Sequence, residues 1–175
     1  MLKTIAVGPL LALALLLIYA ATRPDVFRVQ RSALVQAPAG QVHALINDLR
    51  QFNTWNPYER KDPNIRGDYR GPPAGPGAAY AFQGNKDVGR GSIEIVDSAP
   101  SKVTMQLQML EPFEARNTVE FRLAPQGNAT EVTWAMHGPQ PFLGKLVGVF
   151  LDMDRMVGRD FEAGLANLKA RAERS

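Results

Sequence analysis

The sequence contains no cysteine among its 175 residues, which excludes a disulfide, a thiolate nucleophile and any cysteine-bearing metal site. Histidine is nearly missing too. His43 and His137 stand alone, without the HxxxH or HxH spacing that brings two imidazoles to one ion, so no metal centre is expected. Glycine and proline crowd residues 62–77, yet no GxxxxGK[ST] spacing occurs there or elsewhere, and no phosphate-bearing cofactor follows. No cofactor of any kind is indicated. Charge of one sign is also scarce: a formal net charge of +3 is too small to argue for a nucleic-acid partner.

Charge is absent altogether from residues 4–21, an uncharged run preceded by Lys3. Its length lies at the lower edge of the roughly 17 to 25 residues that span a bilayer. The positions after it favour an uncleaved anchor over a secretory signal, because the candidate cleavage sites place Ile18 or Tyr19 third from the cut, where a small residue is preferred. The chain therefore divides into an N-terminal membrane anchor, residues 1–22, and a domain, residues 23–175. The leading Lys3 favours the amino terminus inside and the domain on the outer, periplasmic side, against the pull of Arg23, Arg28 and Arg31. Secretion after signal cleavage is the alternative.

From Val26 onward the pattern becomes alternating, which marks strands with one apolar and one polar face. The first strand is expected from Val26 to an end at Pro38 and a short one near residues 65–70; the alternation is weak at 78–83 and clear at 91–97, 103–109, 116–123 and 130–137, punctuated by Pro100, Pro112, residues 125–128 and Gly138-Pro139. A short helix is expected over residues 39–49, followed by an aromatic cluster, Phe52 to Tyr58, that plugs one end of a core. His43 falls off that helix's apolar face and is expected in solvent.

Residues 141–171 read as one long amphipathic helix. Leu143, Leu146, Phe150, Met153, Val157, Phe161, Leu165 and Leu168 wind an apolar stripe at steps of three or four, while Lys145, Asp152, Arg155, Arg159 and Glu162 fall on the face assigned to water. The fold class expected is α+β: a curved antiparallel sheet of about seven strands around this helix. Gly144, Gly148, Gly158 and Gly164 each cost about 1 kcal/mol inside a helix; they imply either close packing on the sheet or room for a ligand. Asp154 points toward the apolar side, where a buried carboxylate would need a partner. Asn117, or an arginine from the loops at the end of the sheet, is the expected one.

Three stretches carry a resemblance to a known family: Phe52-Asn-Thr-Trp55-Asn-Pro57, Thr130-Glu-Val-Thr-Trp134-Ala-Met136-His-Gly138, and Asp152 to Lys169 with Gly158, Phe161, Gly164 and Leu168. With the element order, they resemble the helix-grip fold of the SRPBCC (START-like) superfamily, and within it the bacterial polyketide cyclase/dehydrase-like subgroup. The resemblance covers residues 26–171 and implies an apolar cavity between sheet and long helix. The amino-terminal run is a departure from the soluble cyclases.

The inward faces nominate as cavity-lining Trp55, Tyr80, Phe82, Met105, Leu107, Asn117, Val119, Phe121, Trp134, Met136, Phe150, Met153, Asp154, Val157 and Phe161. A carrier for an apolar, possibly lipid-like small molecule, tethered to the membrane, is the first reading, since methionines and aromatics suit an adaptable apolar site. A cyclase/dehydrase-type enzyme is the second, and would need an inward acid or base, for which Asp154 is the weak candidate. A non-binding module docking a membrane protein is the third.

Overall fold

The computed structural model describes residues 2–174, with the side chains of the first helix described at Gly8 and from Leu10 onward. In chain order the elements are α1 (Leu2–Thr22), β1 (Val26–Val35), α2 (Ala39–Asn47), α3 (Leu49–Trp55), a 3-10 turn (Pro57–Arg60), β2 (Arg66–Arg70), β3 (Ala79–Gln83), β4 (Arg90–Ala99), β5 (Lys102–Glu111), β6 (Ala115–Gln126), β7 (Ala129–Pro139), α4 (Phe142–Phe150) and α5 (Met153–Ala172). The seven strands form one antiparallel sheet in the order β1-β7-β6-β5-β4-β3-β2.

Alternation sets the faces. Val29, Val132, Trp134, Val119, Phe121, Val103, Met105 and Ile95 point inward and are buried, together with Phe161, Leu165 and Leu168 of α5 and Val42, Ile46, Phe52 and Trp55 of α2 and α3. Two helix starts carry a side-chain cap. Asp48 Oδ1 accepts from the backbone N–H of Arg50 at 2.8 Å and caps α3, and Asp152 Oδ1 accepts from Arg155 N at 2.9 Å and caps α5. Lys169 and Arg171 in the last turn complement the negative end of the α5 dipole. The aromatic cluster plugs the core as expected: the Trp55 indole is buried and donates to the Leu45 carbonyl at 2.8 Å.

The single long helix is corrected. Leu151 adopts an extended backbone (φ −115°, ψ 122°), and Asp152 starts a new helix, so the stripe is cut into α4 and α5. Only α5 grips the sheet. On α4 the expected faces exchange: Leu143 and Phe150 are 67% and 71% exposed, whereas Lys145, assigned to water, is 8% exposed and donates through Nζ to Asp25 Oδ1. The short helix expected over residues 39–49 ends at Asn47, and His43 is half-buried with Nε2 3.1 Å from Ser98 Oγ.

Helix α1 lies beside α4, and Ala20 is buried between them. Leu16 is half-buried, and the other large apolar side chains described on α1, Leu10, Leu11, Leu13, Leu15, Leu17, Ile18 and Tyr19, are exposed. Among the described residues no helix is long and apolar enough to cross a membrane, so the expected anchor is not shown.

Candidate functional site

The inner face of the sheet is filled at its middle and open at one end. In the middle, Trp134 stacks on Phe161, Phe121 lies 4.9 Å from Trp134, and Phe52 and Trp55 meet both edge-on. Gly164 belongs to this packing, since a Cβ there would lie 2.5 Å from Trp134 Cζ3 and 3.0 Å from Pro57 Cδ. The glycine gives close approach, and leaves no room for a ligand at that point. Of the nominated lining residues, Trp55, Met105, Val119, Phe121, Trp134 and Phe161 are thus core.

The open end begins one row further along each strand. Phe27 pairs with Gly138, Asn117 faces Leu107, Leu107 faces Ile93, and Phe82 faces Gly91, all with side chains directed inward. Phe27, Leu107, Met109, Asn117 and Phe82 are only half-buried there, as are Met153 and Val157 at the start of α5. Gly138 makes space for the Asn117 side chain, which a Cβ at 138 would strike. The break before Asp152 causes the opening, because it swings α4 away and leaves this row uncovered. Of the nominated residues, Leu107, Asn117, Phe82, Met153 and Val157 are thus half-buried, while Tyr80 and Met136 belong to the buried core. Phe150 joins neither group; it projects outward from α4.

Asp154 is corrected as well. Its side chain is 60% exposed and pairs with Arg31, with Nη2 2.9 Å from Oδ2. Arg31 also reaches Glu162 Oε1 through Nε at 2.8 Å. The partner comes from mid-strand β1, facing Trp134 across the ladder, and Gly158 gives its guanidinium room against α5. The pair holds the Asp154 carboxyl below its usual range, chiefly through the hydrogen bond from Arg31. It is a clasp between β1 and α5, outside the open end.

A polar cluster at the far side of the open row escaped the sequence. Glu59 lies in the 3-10 turn near Tyr80; burial pushes its carboxyl above the ordinary value, with the Tyr80 hydroxyl opposing. Burial and Glu59 together raise the Tyr80 hydroxyl. Tyr69 packs 4.5 Å from Tyr80 and accepts from Asn53 Nδ2 at 2.9 Å, while Phe82 stacks on the other side of Tyr80. Tyr80 was legible as inward-facing. Glu59 was not, since nothing in a turn's periodicity announces a partner on a distant strand. Trp134 Nε1 is a buried donor with no partner among the described residues.

On the outer face at the same end, Gln106, Gln108, Arg116, Thr118 and His137 line a groove of about 710 Å³. His137 thus turns away from the inner face, as its place in the alternation implies.

Known structures share this architecture. Protein MLL2253 of Mesorhizobium loti superposes with a TM-score of 0.62 at 12% identity, over 85% of this chain and 98% of that one. The major latex-like protein 151 of Panax ginseng gives 0.58 at 12%, over 85% and 99%. The di-domain ARO/CYC StfQ of the steffimycin biosynthetic pathway gives 0.62 at 14%, over 85% of this chain and 51% of that one. At these identities the likeness is one of fold. No curated protein matches the chain in sequence. A family model does: residues 26–173 match polyketide cyclase / dehydrase and lipid transport, so the chain belongs to that family, within the SRPBCC superfamily.

Proposed function

We propose that the domain binds an apolar, lipid-like small molecule at the open end of the grip and is held at a membrane by α1. The carrying observation is the row of inward-facing apolar side chains, Phe27, Phe82, Leu107 and Met109, left half-exposed at the end of the sheet. A soluble domain gains by closing such a row, and a concave apolar strip with few polar groups suits a hydrophobic ligand. The family description, which includes lipid transport, supports the same reading. For the membrane, the support is α1: it joins the uncharged run to the domain, and Leu10, Leu11, Leu13, Leu15, Leu17, Ile18 and Tyr19 are exposed around most of its circumference, away from α4. A helix apolar all round is stable only when something apolar surrounds it. Lys3 ahead of the run favours the domain on the outer, periplasmic side.

Full-length protein purified in mild detergent should release a bound apolar molecule in native mass spectrometry and take up a fluorescent fatty acid. Leu107→Lys should abolish the uptake without unfolding the domain. Uptake unaffected by Leu107→Lys would remove the open row as the site.

A second reading, a cyclase/dehydrase-type enzyme, is favoured by Glu59. A carboxyl pushed up by burial and aligned with a tyrosine hydroxyl beside an apolar strip has the form of a general acid. The ARO/CYC designation of StfQ fits it. Glu59→Gln separates the two, since it keeps the shape: a carrier retains its ligand affinity, and an enzyme loses turnover of a polyketide-like substrate.

A further inference from the structure

The exposed large hydrophobic side chains outside α1 are unevenly placed. Among the described residues they are Val26, Leu34, Val96, Leu110, Phe113, Phe142, Leu143, Val147, Phe150, Leu151 and Met156. All but Leu34 and Val96 lie at one end of the domain. The strand registers fix this: Val26 pairs with Pro139 and Thr118 with His137, so the start of β1, the exit of β7 into α4 and the β5–β6 turn carrying Phe113 share that end. At the opposite end the β6–β7 turn presents Gly127 and Asn128.

Helix α4 completes the patch. Its sequence holds one charge, Lys145, and that charge is withdrawn to Asp25, while Phe142, Leu143, Val147 and Phe150 stay exposed. A helix facing water would present the lysine and hide the leucine. Beside it, Arg23 stands over the Tyr19 ring at the end of α1, an aromatic and a cation of the kind that settle where hydrocarbon meets headgroups. The Asp25–Lys145 bond, two residues beyond Arg23, holds α4 near that level.

We propose that this end of the domain is a lipid-docking surface: α4 lies in the interfacial plane of the bilayer and the Phe113 turn dips beside it. The proposal rests on the membrane reading of α1. Continuity selects lipid over a second copy as the occupant, because the patch merges with a helix whose exposed apolar side chains, Leu10, Leu11, Leu13, Leu15, Leu17, Ile18 and Tyr19, run around most of its circumference, more than one flat protein surface would cover. The mouth of the inner-face row opens at this end, so docking would set it against the acyl chains.

The absence of cysteine makes the test direct. Single variants Ile18→Cys, Phe113→Cys, Phe150→Cys and Asn128→Cys of the full chain are labelled with an environment-sensitive fluorophore and reconstituted in phosphatidylcholine/phosphatidylglycerol vesicles containing doxyl-labelled lipid. Labels at 113 and 150 should be quenched about twofold or more beyond the label at 128, as for side chains about 5–10 Å into the headgroup boundary. Quenching at 18 with none at 113 and 150 would overturn the docking surface and leave the anchor standing. Blue-shifted but unquenched labels at 113 and 150 would mean a protein partner or second copy covers the patch, and also overturns it. Quenching at 113 and 150 without quenching at 18 would keep the surface and refute the anchor; no quenching at any position refutes both.

Discussion

Trp134 of β7 lies flat on Phe161 of α5, with ring centroids 4.2 Å apart and planes within 9° of parallel. This contact fixes the rotation of the gripping helix and fills the place where a central cavity was expected. Trp134→Ala should therefore cost about 3–5 kcal/mol, the range for deleting a buried aromatic, measured by urea unfolding of the folded domain. Phe150→Ala, on a side chain 71% exposed, should stay within about 0.5 kcal/mol of the parent.

The helix glycines divide by what they touch. Gly164→Ala would press a methyl on Trp134 and Pro57 and should destabilise by about 1–3 kcal/mol. Gly148→Ala meets only Gln140 Nε2 at 3.4 Å and should stabilise by up to about 1 kcal/mol. Equal effects at both sites would refute the packing role of Gly164.

Asp154 should behave as a structural partner of Arg31. Its folded pKa lies below the ordinary 3.8, so its contribution is present above 3.8 and is lost as pH falls through the lower folded value. Asp154→Asn should flatten the acid limb of the stability curve below that point and leave uptake of a fluorescent fatty acid unchanged. Altered uptake would return the residue to the site.

Glu59 has the opposite sign. Its folded pKa is raised above 4.5 by burial, so its favourable contribution is complete below 4.5 and is lost as pH rises through the folded value, where a half-buried carboxyl must ionise. Glu59→Gln should thus gain stability relative to the parent as pH rises from 4.5 toward neutral. A parallel pair of stability–pH curves would show that burial does not govern this group.

The sheet was legible because period-two alternation survives in its long strands, from Phe27, Val29 and Ala33 to Val132, Trp134 and Met136, whereas β2, Arg66–Arg70, carries almost none. The family resemblance then supplied the topology. The break at Leu151 was hidden because the apolar period runs through it unchanged, and one stripe was assigned one partner although α4 and α5 face different surroundings. Asp152 did carry a capping signal, an acidic residue opening a helix, but it was counted as a polar face. Lys145 was sent to water for the same reason. Arg31 was readable from its parity on β1, between Val29 and Ala33, whereas Glu59 needed the fold to bring its turn to Tyr80.

Only Arg23, Pro24 and Asp25 separate the end of α1 from the first residue of β1, and three residues reach at most about 11 Å when fully drawn out. Asp25, bonded to Lys145, shortens even that leash. With α1 in a bilayer, the domain cannot ferry a molecule from one membrane to another. On the proposed reading, a ligand would have to come to it by sideways diffusion through the leaflet or be handed over by a mobile partner. Occupancy would then follow the mole fraction of ligand in the surrounding lipid, and would be insensitive to dilution of the protein.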